Sequence, residues 1–119
     1  MIIKEITIKN FRSYYETNTI SFNDGLMIFI GDNGDGKTTF FEALEWLFYT
    51  SKKNLDTKLI SKMKISELLE FETSTLLVSM TFDHDGIKTI EKSFSFEKKA
   101  NSEIGIRDSH FKGWDDNGN

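Results

Sequence analysis

Residues 26–39 decide the fold of this chain, and they read Leu26-Met27-Ile28-Phe29-Ile30-Gly31-Asp32-Asn33-Gly34-Asp35-Gly36-Lys37-Thr38-Thr39. The first five form a continuous apolar run that stops at a glycine, which is typical of a strand buried on both faces. From Lys37 to about Tyr49, apolar side chains recur at helical spacing. The predicted order is therefore strand, glycine-rich loop, helix.

The segment from Gly31 to Thr38 satisfies the pattern G-x-x-x-x-G-K-[ST], which is the pattern of a phosphate-binding loop, or P-loop. Gly31, Gly34 and Gly36 permit positive φ, so that backbone N–H groups, including that of Asp35, can turn inward around phosphate oxygens. The N-terminus of the following helix adds unpaired N–H groups and the positive end of its dipole. This segment predicts binding of a nucleotide polyphosphate.

Three side chains of this segment carry the predicted chemistry. Lys37 is the predicted catalytic residue, because its ammonium group can neutralise charge on the β and γ phosphates. The hydroxyl of Thr38 is the predicted ligand of Mg²⁺. Thr39 follows directly and is included among the predicted nucleotide-binding residues.

The apolar pattern after the loop also predicts which helix face is buried. Glu42 and Glu45 are expected on the solvent side, and Trp46 falls off the apolar stripe and is a candidate to contact another lobe. The side chains expected to face the core are Phe40, Phe41, Leu44, Leu47 and Phe48.

Before the loop, the sequence predicts two further strands. Residues 2–9 alternate in the two-residue period of a half-buried strand, with Ile6 and Ile8 on the core face. Residues 19–22 alternate likewise, and Asn23-Asp24-Gly25 is a strong turn signal. The simplest interpretation is a hairpin that pairs residues 19–22 with residues 26–30.

After the loop, the sequence predicts a short helix, a hairpin and a polar tail. The helix spans Ile65 to Phe71, with Leu68 and Leu69 inward. The hairpin spans about 75–96 and turns at 83–86, and residues 97–119 show little periodicity and are expected to fray or to join another part of the protein. The hairpin's core face consists of Leu76, Val78, Met80, Phe82, Ile90, Phe94 and Phe96.

The composition excludes several classes of protein. The 119 residues allow a single core, and the absence of cysteine excludes disulfide frameworks and thiolate metal sites, so a cytoplasmic location is expected. No apolar run approaches the roughly 20 residues of a membrane span, so no membrane partner is expected. A net charge of −4 argues against a whole-domain basic surface for nucleic acid.

The loop and its surroundings resemble the N-terminal segment of the SMC, RecF and SbcC superfamily of ATPases. The resemblance covers about the first fifty residues and rests on residues 6–14 (Ile-Thr-Ile-Lys-Asn-Phe-Arg-Ser-Tyr), 20–22 (Ile-Ser-Phe), 25–39 and 42–44 (Glu-Ala-Leu). Residues 40–48 are similar to bacterial DNA-repair and phage-defence ATPases, including the DndD-like ATPase of DNA sulfur-modification systems.

The resemblance implies an α/β P-loop NTPase fold: the N-terminal lobe of an ABC-type ATPase head, with an antiparallel β-subdomain at about 75–96. Residues 1–119 would be this lobe, a fragment of a longer chain whose coiled coil and C-terminal lobe supply the signature motif and the Walker B acid. Arg12 would reach the phosphates of ATP, and Asn33 would lie near the γ phosphate. A guanidinium group also suits bidentate phosphate contact on chemical grounds.

The resemblance also implies ATP and Mg²⁺ as cofactors, and ATP hydrolysis across a head-to-head homodimer. The hydrolysis would drive clamping or processing of DNA in repair or antiviral defence, with DNA held by other segments or partner subunits. The chain contains no glutamine, so the family's Q-loop residue is absent, and the chain alone is expected to bind ATP better than it hydrolyses it.

Two other functions fit a P-loop: the nucleotide-binding subunit of an ABC transporter, and a non-catalytic nucleotide-binding module. Residues 11–14, Phe-Arg-Ser-Tyr, make the transporter the weaker alternative. Asp83 ends a strand as a Walker B acid would, but His84 follows it where a glutamate would orient water, and the D-x-x-G at 83–86 lacks a partner N-K-x-D guanine motif. Both features are therefore interpreted as a hairpin turn.

The remaining polar residues predict no further site. His84 and His110 lack clustered partners that would indicate a metal or a general base. The lysines between 52 and 64 are interleaved with or followed by acids, and we interpret them as a solvated face.

Overall fold

The computed structural model describes residues 2–22, 34–49 and 57–113. Within these ranges the chain forms five strands, two helices and one 3-10 turn. The strands are β1 (Ile2–Phe11), β2 (Tyr14–Ser21), β3 (Thr73–Asp83), β4 (Ile87–Lys98) and β5 (Ile104–Lys112). The helices are α1 (Gly34–Tyr49) and α2 (Lys62–Glu67), and the 3-10 turn is Thr57–Leu59.

The five strands form one sheet in the order β2-β1-β3-β4-β5, and every neighbouring pair is antiparallel. β3 therefore lies at the centre of the sheet, paired with β1 on one side and β4 on the other. The structure contains the predicted hairpin, formed by β3 and β4, and joins it to the first two strands. The antiparallel sheet is thus wider than the predicted subdomain at 75–96.

The predicted core-facing residues of β1, β3 and β4 are confirmed. They could be predicted because the two-residue period places one set of side chains on the buried face of each strand. Ile6 and Ile8 of β1 are buried, as are all the predicted core residues of β3 and β4. α1 packs on this face. The antiparallel setting of β3 also agrees with the interpretation of Asp83 as a turn residue, since its Oδ1 accepts a hydrogen bond of 3.2 Å from the N–H of Gly86.

The predicted face of α1 is partly wrong. Phe40 and Leu47 are buried as predicted, but Phe41 is 63% exposed and Phe48 is 49% exposed. Trp46, expected to lie off the stripe, is only 3% exposed. The helix carries apolar side chains over a wider arc than one sheet face can cover, so the packing of the indole ring selects the buried side.

Two other expectations change, and the pairing of residues 19–22 with residues 26–30 stays a prediction. β2 pairs with β1, while the predicted partner at 26–30 lies outside the described residues. The second helix spans Lys62–Glu67 instead of 65–71; Leu68 is buried after its end, but Leu69 is exposed. The tail expected to fray contains β5, whose weakly periodic sequence suits an edge strand with little burial.

Candidate functional site

A tight turn at Arg12 and Ser13 connects β1 to β2 and presents Arg12 at the surface. The pairing register of β1 with β2 shifts between Lys9 and Phe11, where Tyr15 and Glu16 of β2 lie opposite Asn10, and this marks a β-bulge in β2. Asn10 and Arg12 both adopt left-handed φ values, 55° and 50°, which only a small fraction of non-glycine residues adopt. The bulge lies beside the turn that carries Arg12.

Asn10 holds the bulge from inside the protein, where it is completely buried. Its side-chain NH₂ donates to the carbonyl of Thr75 at 2.9 Å and lies 3.4 Å from the hydroxyl of Ser74. Its side-chain oxygen accepts a hydrogen bond of 2.8 Å from the N–H of Glu16. One amide thereby connects β1, the start of β2 and β3, and satisfies its own donors and acceptor away from water.

The segment from the 3-10 turn to α2 runs beside the Arg12 turn. The N–H of Arg12 donates to the carbonyl of Leu59 at 2.7 Å, and the N–H of Ser61 donates to the carbonyl of Asn10 at 2.8 Å. Ser61 also caps α2, since its hydroxyl accepts from the N–H of Lys64 at 3.3 Å. These backbone bonds bring the two lysines that flank residues 59–61 alongside Arg12.

Arg12 forms an ion pair with α1, because its Nη2 atom lies 3.5 Å from Oε2 of Glu42. A groove of about 400 Å³ opens at this contact, between the Arg12 turn, α1 and the 57–62 segment. We call it the Arg12 groove. It is lined by Arg12, Ser13, Thr39, Glu42, Lys58, Ile60 and Lys62.

The charge of the Arg12 groove suits an anion. Arg12, Lys58 and Lys62 contribute positive charge, and Glu42 is the only acid among the described lining residues. The guanidinium group can bind phosphate in a bidentate manner, and lysine binds it as a point charge. The size of the groove also falls in the range of small-molecule sites, about 300–1,000 Å³. The donor set therefore fits part of a polyphosphate.

A neighbouring lysine belongs to a different arrangement. Lys64 lies 2.8 Å from Oε1 of Glu16 and 3.7 Å from Oε1 of Glu67, and the hydroxyl of Tyr15 hydrogen-bonds to the same Glu67 carboxylate. The bond to Glu67 raises the pKa of Tyr15 to about 12. The charge of Lys64 is thus used to hold α2 against β2 and is not presented to the Arg12 groove.

α1 is positioned over the sheet by Trp46. The Trp46 ring lies 6.0 Å from the ring of Phe11 and 6.0 Å from the ring of Phe94, the latter in an edge-to-face arrangement. Phe11 directly precedes Arg12, so the same aromatic cluster locates both the helix and the base of the turn. The relative placement of Arg12 and α1 follows from this packing.

The predicted site residues fall into three groups in the structure. Arg12 and Thr39 line the same groove, and Thr39 is only 7% exposed. Gly31 and Asn33 lie outside the described residues. The backbone of residues 34–38, which covers Gly34, Asp35, Gly36, Lys37 and Thr38, belongs to α1.

The start of α1 differs from the prediction by three residues, since the helix begins at Gly34 and not near Lys37. Gly34 and Gly36 are therefore helical, with negative φ.

Sequence reasoning missed three contributions to the groove. Asn10 stood within the quoted family motif, but only its burial shows that it holds the turn. Glu42 was assigned to the solvent side of the helix, and Lys58 and Lys62 to a solvated face. No local pattern brings these elements together, because their contact depends on how residues 57–61 run beside β1.

Two negative findings concern the described residues alone. They contain no group of three or more His, Cys, Asp or Glu side chains placed to hold a metal ion. Neither helix in these ranges has the length and apolar character needed to cross a membrane.

Comparison with known proteins matches residues 5–119 to the AAA domain family. The chain is 35% identical over 86 residues to the DNA replication and repair protein RecF of Leptospira biflexa, which covers 72% of this chain and 21% of that protein. It is 29% identical over 104 residues to the DNA double-strand break repair Rad50 ATPase of Methanococcus maripaludis, covering 87% of this chain and 10% of that protein.

The chain therefore spans about a fifth of the length of this RecF and about a tenth of this Rad50. Among solved structures, the chain is similar to one from work on the ATP-driven dimerization and DNA-stimulated activation of SMC ATPases. That match has a TM-score of 0.48 and 17% identity, and covers 90% of this chain and 69% of the other.

Proposed function

This chain belongs to the AAA domain family, as an N-terminal segment of the SMC, RecF and SbcC-like ABC ATPases, and we propose that it binds ATP with Mg²⁺ at residues 31–39. The observation that carries the proposal is the convergence of Arg12 and Thr39 on one groove lined by further cations. These two residues lie 27 positions apart in the sequence (39 − 12). An anion bound between the start of α1 and Arg12 would be stabilised by the N-terminus of the helix and by the guanidinium group.

The proposed roles follow the chemistry of each residue type. Backbone N–H groups of Gly31, Gly34, Asp35 and Gly36 cradle the phosphates, and Asn33 lies near the γ phosphate. Lys37 neutralises charge on the β and γ phosphates, as the catalytic residue of the segment. The hydroxyl of Thr38 would hold Mg²⁺, which would neutralise further charge on the phosphate oxygens when bound.

For the whole protein we propose an ATPase that acts on DNA. RecF of L. biflexa is named a DNA replication and repair protein, and Rad50 of M. maripaludis a DNA double-strand break repair ATPase. These names support coupling of ATP hydrolysis to DNA clamping or processing, and they favour DNA over the membrane partner of a transporter. Repair is the favoured setting, and anti-phage defence is the alternative that the resemblance of residues 40–48 suggests.

Hydrolysis requires groups outside this chain. We propose that a C-terminal lobe supplies the Walker B acid and signature motif, and that two heads form a homodimer with ATP between them in the cytoplasm. The net charge of −4 supports assigning the DNA contacts to other segments or partner subunits.

Calorimetric titration of Mg²⁺ and ATP into the chain tests the binding proposal. We expect Lys37→Ala to weaken ATP binding by about ten-fold or more, since a hydrogen bond to a charged group contributes about 1.5–3 kcal/mol. Lys112→Ala, at the exposed end of β5, is the matched control and should bind like the wild type. Equal affinities of the wild type and Lys37→Ala would contradict the proposal.

A further inference from the structure

Glu42 is the one lining residue of the Arg12 groove, among those described, whose charge opposes an anion. It lies one turn of α1 beyond Thr38 and contacts Arg12 while its side chain stays partly exposed, on the solvent side of the helix as predicted. The carboxylate would repel phosphate if it acted on phosphate alone. Its contact with the guanidinium group of Arg12 indicates a different use.

The ion pair between Arg12 and Glu42 joins two elements that are distant in sequence. Nη2 of Arg12 lies 3.5 Å from Oε2 of Glu42, and the two side chains are 41% and 38% exposed. An ion pair with that much solvent access changes an equilibrium by about five-fold or less. It is therefore weak enough to be exchanged for another anion.

The competing partner is a phosphate group. A guanidinium carries five N–H donors in a rigid fork that matches phosphate in a bidentate manner. A nucleotide polyphosphate also brings more than one negative charge to a groove that holds Lys58 and Lys62 as well as Arg12. Arg12 can therefore exchange its contact with the Glu42 carboxylate for a contact with a more highly charged ligand in the same groove.

We propose that Glu42 is a positioning residue for Arg12, an inference that rests on the proposed nucleotide site. In the nucleotide-free chain Glu42 holds the guanidinium group against α1, and bound phosphate takes the guanidinium group from it. ATP binding therefore includes the breaking of this ion pair, and the affinity for ATP is lowered by the free energy of that step.

A double-mutant cycle tests the exchange. Affinity for ATP with Mg²⁺ is measured by calorimetry for the wild type, Glu42→Gln, Arg12→Gln and the double variant. We expect Glu42→Gln to bind ATP about two- to five-fold more tightly than the wild type, because the ion pair no longer has to break. In the Arg12→Gln background the same change should give a clearly smaller gain, since no ion pair is present and only repulsion between the carboxylate and phosphate is relieved.

Two controls separate this effect from others. Glu45→Gln removes an equal charge from an exposed position on the same helix and should leave the affinity unchanged. Urea unfolding of each variant checks that the fold is retained; Gln has nearly the shape of Glu, and both side chains of the pair are partly exposed.

The outcomes are distinct. A gain in Glu42→Gln that persists at the same size without Arg12 would mean simple repulsion of phosphate and would overturn the positioning role, as would no gain or a loss. Lys37→Ala reports separately on the proposed site: if it binds ATP like the wild type, the proposed function fails. If Lys37→Ala loses binding and the cycle shows no coupling, only the role of Glu42 fails.

Discussion

The ammonium group of Lys92 lies 4.6 Å from the centroid of the Trp46 ring and donates a hydrogen bond of 3.1 Å to the Trp46 carbonyl. Lys92 is only 5% exposed, on the core face of β4. The carbonyl is one of the last four of α1, which have no partner within a helix. One buried lysine thus satisfies the end of α1 and binds its indole anchor, at the end of the helix opposite the predicted nucleotide.

Trp46→Ala should destabilise the chain strongly. The ring packs against Phe11 and Phe94 and supports Lys92, and deletion of a buried aromatic side chain costs about 3–5 kcal/mol. Phe48→Ala, on the same helix but 49% exposed, should cost about 1 kcal/mol or less. Urea unfolding followed by circular dichroism measures both, and similar costs for the two would show that the indole is not the anchor of α1.

The stability contributed by Lys92 should rise with pH. Burial lowers the pKa of Lys92 below its ordinary value of 10.5. Between the lowered pKa and 10.5 the unfolded chain therefore binds more protons than the folded chain, so that raising the pH favours folding.

Comparison with Lys92→Met isolates this contribution from other titrating groups. The difference in the free energy of unfolding, wild type minus variant, should increase as the pH is raised from 7 toward 10.5, as measured by urea unfolding at each pH. A difference that stays constant or decreases over this range would contradict a lowered pKa.

Asn10→Ala should destabilise the chain and also weaken ATP binding. The change removes the side-chain partner of the partly buried N–H of Glu16 and carbonyl of Thr75, and an unsatisfied buried group costs about 1–3 kcal/mol. It also removes the hydrogen bonds that hold the β-bulge beside the Arg12 turn.

Asn18→Ala is the matched control for Asn10. The Asn18 amide donates to the nearby carbonyls of Tyr15 and Glu16 within its own strand, so its loss should cost less and should leave the affinity for ATP unchanged. Urea unfolding and calorimetry measure the two effects, and equal behaviour of the two variants would argue against a special role for Asn10.

Lys62→Ala should weaken ATP binding more than Lys64→Ala. Lys62 lines the Arg12 groove, whereas Lys64 is paired with Glu16 and Glu67. Loss of one exposed cation near a phosphate is expected to weaken binding by about two- to five-fold, and less at higher salt. Calorimetry at two salt concentrations checks this, and an equal loss in both variants would place the nucleotide away from the groove.

The local sequence pattern predicts the strands well and the buried face of α1 poorly. In β3, Leu76, Val78 and Met80 alternate with Leu77, Ser79 and Thr81, and a strand has only two faces, so the pattern determines which face is buried. In α1, the sequence pattern puts Phe41 on the apolar stripe and Trp46 off it, whereas the structure exposes Phe41 and buries Trp46. Choosing between them requires the position of the aromatic rings in the sheet below.

Part of the candidate site can be predicted from the sequence, and part depends on the tertiary structure. The nucleotide-binding pattern at residues 31–38 can be recognised from sequence, because its chemistry is contained in eight consecutive residues. Asn10 and Glu42 cannot, since their importance lies in contacts with Thr75 and Arg12, far away along the chain.

By itself, the sequence determined the buried faces of β1, β3 and β4, the P-loop pattern and the family, all of which depend on residues close together in the chain. Only the tertiary structure decided that residues 104–112 add a fifth strand and that Trp46 anchors α1. It alone also decided that Arg12, Thr39 and Glu42 meet at one groove. The physical reason is that packing of a helix on a sheet selects among several locally acceptable faces, and only the complete set of contacts distinguishes their free energies.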